Sequence, residues 1–487
     1  MTGARCHFDV VIVGAGPAGI FAALELVRHD NVRVLILEKG PDITRRTCPA
    51  RTTGRCSACS PCDVTCGWGG AGAFSDGKLV LSSTVGGWLT DFVPEASLND
   101  LIRYVDSVWR EYGAPEKIHG GNAREVEQLR RTALLHGLTL LAAPVRHMGT
   151  ERAWDVLKAM EEELRRSVVI RTGTCVERVL VQDGHVIGVS CEDGSEYTAE
   201  AVIVAPGRQG AAWLRAELRR LGFALRTNAV DIGVRVEVPA VIMEPLTSVL
   251  YEGKLVHFSR SFDDQVRTFC MNPYGVVSLE NYGDVVTVNG QSYANRRTEN
   301  TNFALLVSTV FTEPFDDPIT YGKSIARLAN LIGNDILVQR LGDLTQGQRS
   351  TPQRLARGTV RPTLGGATPG DLSFVLPYRY LRDILDMLEA MDALVPGVNA
   401  RDTLLYGVEV KFYSSRPVLD ENLQTHVHGL YAIGDGAGIT RGLVQASAAG
   451  VLAARSILNK GRARADAAAQ PPAPAQPLED SSCQPPW

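Results

Sequence analysis

The chain has 487 residues, of which 45% are hydrophobic and 21% charged, and its net charge at pH 7 is −4. This composition excludes a wholly disordered chain, because there is enough apolar surface to offset the entropy lost on folding, and the glycines lack the three-residue period of collagen. The charge balance shows no footprint for nucleic acid, and the longest apolar runs fall far short of the roughly 20 residues that span a bilayer.

The N-terminal segment predicts a strand, a glycine turn, a helix and a second strand. Asp9–Val13 and Val32–Leu37 are short apolar runs typical of buried parallel strands, and Pro17–Val27 between them has helical spacing. The first run enters the glycine turn directly, which is not the pattern of a signal peptide. We therefore expect a cytoplasmic protein whose ten cysteines are mostly reduced thiols or metal ligands.

Further along the chain, the pattern predicts two kinds of sheet. Short strands between Val168 and Val204 are separated by Asp-Gly turns, which is typical of a β-meander. From about Asn228 to Phe311, apolar residues alternate with polar ones, as in half-buried antiparallel strands. A strand at Tyr431–Ile433 then leads to a helix that runs to about Asn459.

The glycine turn after the first strand has the pattern G-x-G-x-x-G, formed by Gly14, Gly16 and Gly19. Gly14 permits a tight turn, Gly16 lets a pyrophosphate approach the backbone, and Gly19 lets helix and strand pack closely. Glu38 ends the second strand, where an acid can bind the ribose hydroxyls of a dinucleotide. Motif and context together predict a dinucleotide site.

Three features favour FAD over NAD as the dinucleotide. The meander ends in a strand and a small-residue turn at Gly207, and the strand at Tyr431–Ile433 is followed by Gly434-Asp435. Asp435 suits the ribityl chain, and the glycines that follow point a helix N-terminus at the flavin edge where negative charge collects on reduction. The glycine-rich segment from Gly69 to Lys78 offers bare backbone and a lysine to phosphates or the flavin ring.

These motifs resemble the bacterial family of uncharacterised FAD-dependent dehydrogenases, within the flavoprotein superfamily that includes glutathione reductase and phytoene desaturase. The resemblance extends from Asp9 to about Leu458. It rests on GAGPAG (14–19), CGWGGAGAFSDGKL (66–79), DIGVRVEVP (231–239), RTFCMNP (267–273), GVEVKFY (407–413) and YAIGDGAGITRGLVQASAAG (431–450).

The predicted fold is α/β, with a Rossmann-like FAD-binding domain of the glutathione-reductase type and an inserted antiparallel substrate domain. We expect the FAD-binding domain to comprise residues 1–227 and 401–460, the substrate or cap domain residues 228–400, and a disordered tail residues 461–487. The predicted FAD-binding residues are Gly14, Gly16, Pro17, Ala18, Gly19, Glu38, Lys39, Gly69, Gly70, Ser75, Asp76, Gly77, Lys78, Val176, Gly207, Asp435, Gly436 and Gly438.

Four cysteines, Cys56, Cys59, Cys62 and Cys66, have the spacing C-x2-C-x2-C-x3-C. This matches the bacterial ferredoxin run up to its last position, where Gly67 stands in place of proline. No second run accompanies it to share the fourth cysteine. The spacing leaves three interpretations open: an iron–sulfur cluster such as [4Fe–4S], a structural zinc ion, or free thiols.

Five residues are candidate catalytic residues. Arg267 and Cys270 lie three apart on a predicted strand, so we expect them to face opposite sides and at most one to point into a given site. Cys270 also fits a small buried hydrophobic residue. Glu409, Lys411 and Tyr413 offer an acid, a base and a phenol on one strand face, an arrangement that a solvated edge strand explains equally well.

Together these features predict an oxidoreductase that transfers a hydride or electrons between a small organic substrate and bound FAD. A second G-x-G-x-x-G is absent, so we expect NAD(P)H, where it is the electron donor, to bind only transiently. The alternative is an electron-transfer flavoprotein with an iron–sulfur cluster and a redox partner protein. An FAD-dependent RNA-modifying enzyme is disfavoured by the mild negative charge. We expect neither a nucleic-acid partner nor a membrane span.

Overall fold

The structure is a computed structural model, and it describes residues 6–29, 32–49, 57, 59–226, 228–293, 296–311, 317–412 and 416–469. Cys56 and Tyr413, two of the predicted site residues, lie outside these ranges. Within the described ranges, no helix is both long and apolar enough to cross a membrane.

The helices and strands follow one another along the whole described chain. The helices are α1 (Pro17–His29), α2 (Glu95–Glu111), α3 (Ala123–Leu135), α4 (Gly149–Leu164), α5 (Ala211–Arg220), α6 (Ala240–Leu250), α7 (Pro318–Gly333), α8 (Leu341–Thr345), α9 (Pro352–Ala356), α10 (Tyr378–Leu394) and α11 (Leu443–Ala469). The strands are β1 (Cys6–Val13), β2 (Val34–Glu38), β3 (Lys78–Val80), β4 (Thr139–Leu141), β5 (Val145–His147), β6 (Val169–Thr172), β7 (Val176–Gln182), β8 (His185–Cys191), β9 (Glu196–Val204), β10 (Leu225–Arg226), β11 (Val230–Pro239), β12 (Lys254–Phe258), β13 (Gln265–Asn272), β14 (Val276–Asn281), β15 (Val286–Gln291), β16 (Asn300–Thr309), β17 (Leu337–Arg340), β18 (Thr368–Pro369), β19 (Leu404–Lys411), β20 (Arg416–Pro417) and β21 (Leu430–Ala432).

The first sheet has the strand order β6-β2-β1-β9-β8-β7, and β21 also pairs with β9. Strands β6, β2, β1, β9 and β21 are parallel, and β7, β8 and β9 form the predicted antiparallel meander. β2 is buried along its whole length, as expected for a parallel strand covered on both faces. The predicted Rossmann-like α/β fold is therefore confirmed.

Helix α11 packs against α1 and covers the first sheet. The contact is close: a Cβ atom at Gly450 would lie 2.1 Å from the carbonyl oxygen of Ala18. The helix extends to Ala469, past the start of the predicted tail at Gly461. The added segment is rich in Ala and Arg, which are strong helix formers, and residues 470–487 lie outside the described ranges.

The second sheet has the strand order β18-β17-β19-β11-β16-β13-β12-β4 and, apart from the β17–β18 pair, is antiparallel. Two of its strands come from outside the predicted range 228–400. They are β4, which precedes the meander in sequence, and β19, which runs from Leu404 to Lys411.

Strand β11 differs from the half-buried strand that its alternating pattern predicts. Nearly all of β11 is buried, including Arg235 and Glu237, which are 0% exposed. The hairpin β14–β15 packs against β11 and β19, so the polar side of the central strands is covered as well. Polar residues on β11 consequently need buried partners.

Candidate functional site

A cavity of about 920 Å³ lies between the two sheets. Its walls come from the glycine turn after β1, the segment 70–78, the end of β9, the start of α11 and one face of the second sheet. This volume is near the upper end of the range for small-molecule sites. The cavity therefore has room for a large ligand and touches both halves of the molecule.

The glycine turn after β1 has the geometry that the motif predicts. A Cβ atom at Gly14, where φ is +104°, would lie 2.2 Å from the carbonyl oxygen of Ala205, and one at Gly19 would lie 2.1 Å from that of Gly14. At Gly16 a Cβ atom would meet nothing within 4 Å. Two of the glycines thus permit close packing of the backbone, whereas the third leaves an open space on the cavity wall.

Glu38 is buried at the end of β2 and accepts three backbone N–H groups. Its Oε2 accepts from Ala15 at 2.9 Å, and its Oε1 accepts from Gly40 at 2.9 Å and from Gly67 at 2.8 Å. A carboxylate has about four acceptor positions, so one is left for a ligand on the cavity side. Glu38 therefore both organises the glycine turn and can accept a hydroxyl.

Most of the residues predicted to bind the cofactor line this cavity. Those on the wall are Gly14, Gly16, Pro17, Ala18, Glu38, Lys39, Gly70, Ser75, Asp76, Lys78, Val176, Gly207 and Asp435. The other predicted residues, Gly19, Gly69, Gly77, Gly436 and Gly438, lie behind the wall, where Gly69 for instance donates its N–H to the carbonyl oxygen of Ala15.

The described members of the cysteine run line the end of the cavity near Glu38. Cys59 is exposed, Cys62 is half-buried and Cys66 is buried, and their sulfur atoms are not all within 4.8 Å of one another. Burial raises the pKa of the Cys66 thiol. The three described cysteines thus line one wall without converging on a common point, and Cys56 lies outside the described ranges.

The prediction that Arg267 and Cys270 face opposite sides is wrong, because both line the cavity. The pairing of β13 with β16 is irregular between Phe269 and Asn272, and Cys270 has a φ of +44°. A bulge of this kind breaks the alternation of a strand and redirects a side chain. The Cys270 sulfur lies 4.0 Å from Nζ of Lys78, and burial raises the pKa of the thiol.

Arg235, which the sequence pattern does not distinguish, is the centre of a buried hydrogen-bond network. It donates to Glu409 through two bonds of 2.8 and 2.7 Å and to the carbonyl oxygen of Cys270 at 2.7 Å. Three amide oxygens complete its partners, those of Asn272, Asn289 and Asn302. Arg235 therefore fixes the backbone at Cys270 and ties it to β19.

The other candidate catalytic residues lie on β19, which pairs with β11 and β17 and is not an edge strand. Glu409 does not line the cavity, because its carboxylate points to Arg235 and to Nζ of Lys411 at 3.2 Å. Lys411 does line the cavity, and its Nζ contacts Glu280 at 2.8 Å. The interpretation of this strand as a solvated edge is therefore wrong.

Ion pairs fix the charges on the substrate side of the cavity. Lys78 contacts Asp76 at 3.0 Å and Glu252 at 2.8 Å, so its ammonium group faces the second sheet. These cations and Lys254 lower the pKa of Glu252 to about 2 against the effect of burial. Lys411 and Arg208 likewise lower the pKa of Glu280 to about 2. Both carboxylates are thus ionised at neutral pH.

A second cavity, of about 940 Å³, lies behind the wall formed by β3 and β5. His147, which pairs with Lys78 across those strands, lines it together with Tyr251. The two rings are stacked with centroids 4.4 Å apart, and the Tyr251 hydroxyl lies 2.8 Å from Nε2 of His147. Burial lowers the pKa of His147 from 6.5 to about 4.

This shift predicts a loss of stability in mild acid. The folded protein keeps His147 neutral below pH 6.5, where the unfolded chain takes up a proton, so the contribution is complete above pH 6.5 and falls as the pH drops towards about 4. By pH 5 the loss amounts to about 2 kcal/mol. Urea unfolding of His147→Gln should lack this part of the pH dependence, whereas the exposed control His136→Gln should retain it.

Comparison with known proteins places these features in a family. Residues 230–412 match the family described as "FAD-dependent protein, C-terminal domain-like", and residues 12–62 match the NAD(P)-binding Rossmann-like domain. The chain belongs to the FAD-dependent proteins. Because flavins transfer hydrides and electrons, this FAD-dependent protein is an oxidoreductase. An uncharacterised protein of Clostridium beijerinckii is 29% identical over 482 residues, 92% of this chain and 80% of the relative.

Several solved structures are distantly similar to the FAD-dependent chain. A quinol–fumarate reductase variant of E. coli has a TM-score of 0.42 at 14% identity, with 95% of this chain and 73% of that chain covered. Glycine oxidase from Geobacillus kaustophilus has a TM-score of 0.37 at 15% identity, with 95% and 94% covered. L-proline dehydrogenase from P. horikoshii has a TM-score of 0.40 at 12% identity, with 94% of each covered.

The residues of the first cavity fit FAD. Cβ atoms at Gly16, Gly207 and Gly442, all on the wall, would meet nothing within 4 Å, so the backbone at these points is bare towards the cavity. The N-terminus of α1 has no acidic residue in its first turn, which favours a phosphate there. With the remaining acceptor position of Glu38 for a hydroxyl, the wall offers the donor and acceptor groups that a dinucleotide requires.

Proposed function

We propose that the chain is an FAD-dependent dehydrogenase that transfers a hydride or electrons between a small organic substrate and FAD in the cavity between the two sheets. The observation that supports this most directly is that one cavity is lined both by the glycine turn after β1 and by Arg267, Phe269 and Cys270 of the second sheet. A cofactor on the first sheet and a substrate against the second would therefore share one water-restricted space.

In this proposal the first sheet and its loops hold the cofactor. The N–H groups at the start of α1 bind the pyrophosphate, Glu38 binds a ribose hydroxyl, and Asp435 faces the ribityl chain. The segment 70–78 and Gly207 contribute bare backbone to the same wall. When bound, FAD supplies the hydride or electron acceptor, and the protein supplies position and electrostatics.

The second sheet orients the substrate in this proposal. Cys270 and Tyr282 both line the cavity and remain neutral near pH 7, because burial raises the pKa of the thiol and raises that of the phenol to about 12. A neutral thiol and a neutral phenol can donate hydrogen bonds to a substrate oxygen. Lys411 and Arg267 supply positive charge on the same wall.

The proposal is tested by the absorption spectrum of protein purified without oxygen. We expect flavin bands with about one FAD per chain and bleaching of those bands when the correct substrate is added. Candidate small organic substrates and NAD(P)H are screened separately as reductants, which tests NAD(P)H as a transient donor. Protein that binds no FAD when the cofactor is added in excess would disprove the proposal.

The cysteine run supports a second role, electron transfer to a redox partner protein through a metal centre. The support is that Cys59, Cys62 and Cys66 line the same cavity as the cofactor residues. Iron and zinc assayed on the same anaerobic sample separate the interpretations: stoichiometric iron favours a cluster, zinc a structural site, and absence of both free thiols. In a metal-containing sample, Cys59→Ser should lower the metal content.

A further inference from the structure

A chain of five ionic side chains runs from the cavity into the interior of the second sheet. Arg208 contacts Glu280 at 3.2 Å, and Glu280 contacts Lys411 at 2.8 Å. Lys411 contacts Glu409 at 3.2 Å, and Glu409 contacts Arg235 at 2.7 Å. The signs alternate with a cation at each end, so the chain has one positive charge in excess.

The two ends of this chain differ in their surroundings. The Arg235 end is fully buried, and its guanidinium donors are used by Glu409, one carbonyl and three amide oxygens. The side chain of Arg208 is 31% exposed and lines the cavity, and among the described residues its ion-pair partner is Glu280. A guanidinium has five N–H donors, so most of those on Arg208 are available on the cavity side.

The excess charge at Arg208 is not balanced by the neighbouring groups. The other ionic side chains on this part of the wall form sets of equal charge, namely Asp76, Lys78, Glu252 and Lys254 in one, Asp231 and Arg267 in a second, and Asp435 with Arg441 in a third. A cation shielded from water without a matching anion is costly. An anion entering the cavity would remove this cost.

We propose that Arg208 binds a carboxylate group of the substrate, so that the reaction acts on an organic acid. The inference rests on the proposed function of the cavity. A planar guanidinium binds a carboxylate through two parallel hydrogen bonds, which gives direction as well as affinity. Arg208 directly follows Gly207 on the cofactor wall and contacts Glu280 of the second sheet. A carboxylate held there lies at the boundary between the cofactor and the substrate sheet.

The test uses FAD-loaded protein titrated with sodium benzoate and sodium succinate, with benzamide and succinamide as neutral counterparts, while the flavin spectrum is recorded. We expect at least one carboxylate to perturb the spectrum saturably and to bind at least about tenfold more tightly than its amide. Arg208→Met should weaken that binding at least about tenfold, and Arg208→Lys should weaken it less. The matched control Arg219→Met, on the exposed end of α5, should bind as the unmodified protein does.

Other outcomes overturn the assignment in distinguishable ways. Loss of FAD from both Arg208 variants, with the fold retained by circular dichroism, would show that Arg208 holds the cofactor. Equal binding of acids and amides, or no saturable binding of either acid, would exclude a carboxylate site. Tighter binding of inorganic phosphate than of both acids would overturn the ligand class. Failure of the proposed function is recognised earlier, because such protein retains no FAD before any acid is added.

Discussion

Replacing Arg235 by Met should lower the free energy of unfolding by about 3–5 kcal/mol. The guanidinium is 0% exposed, and its removal leaves the equally buried carboxylate of Glu409 without its bidentate partner. Lys411 remains near that carboxylate at 3.2 Å but is shared with Glu280. The loss is measured by urea unfolding at pH 7, with FAD-free protein so that cofactor binding does not contribute.

A double variant distinguishes a lost ion pair from lost packing. Arg235→Met combined with Glu409→Leu removes both charges, and we expect it to recover part of the loss, because the destabilising species is the carboxylate left unpaired. Arg130→Met is the surface control, since Arg130 and its partner Glu127 are 45% and 66% exposed, and it should change stability by less than about 0.5 kcal/mol. A double variant less stable than Arg235→Met would contradict this account.

The sequence allows prediction of the first sheet because its signals are local. The strand, the glycine turn, the helix and the acid at Glu38 are adjacent in sequence, and each is dictated by backbone geometry. The second sheet is less accessible, since the alternation in β11 predicts a solvated face that the hairpin β14–β15 in fact covers. Whether a polar strand position faces water depends on which element packs against it, and that contact is not local.

The same limitation explains what could be predicted at the site. The opposite facing of Arg267 and Cys270 assumed an unbroken strand, whereas a bulge between Phe269 and Asn272 turns Cys270 to the cavity. Arg208 and Glu280 are 72 residues apart in sequence, and no pattern in the chain connects them. The placement of an arginine within the motif DIGVRVEVP, between buried valines, is the one signal that pointed to a buried charge network.

Replacing Gly16 by Val should abolish retention of FAD while the protein stays folded. The Cβ position at Gly16 is open to the cavity, so a side chain there meets no protein atom within 4 Å but fills the place proposed for the pyrophosphate. Loss of two charge-assisted hydrogen bonds corresponds to an affinity at least about hundredfold lower. The measurement is FAD bound per chain after gel filtration, with dissociation constants from fluorescence titration.

The neighbouring glycine provides the comparison that separates cofactor loss from misfolding. At Gly19 a Cβ atom would lie 2.1 Å from the carbonyl oxygen of Gly14, so even Gly19→Ala forces the helix away from the turn and should cost about 1–3 kcal/mol of stability in FAD-free protein. Gly16→Val should stay within about 1 kcal/mol of FAD-free unmodified protein. If Gly16→Val retained full FAD, the pyrophosphate could not lie at this turn. If it were as unstable as Gly19→Ala, its loss of FAD would follow from the fold. Only a stable protein without cofactor places the phosphate against Gly16.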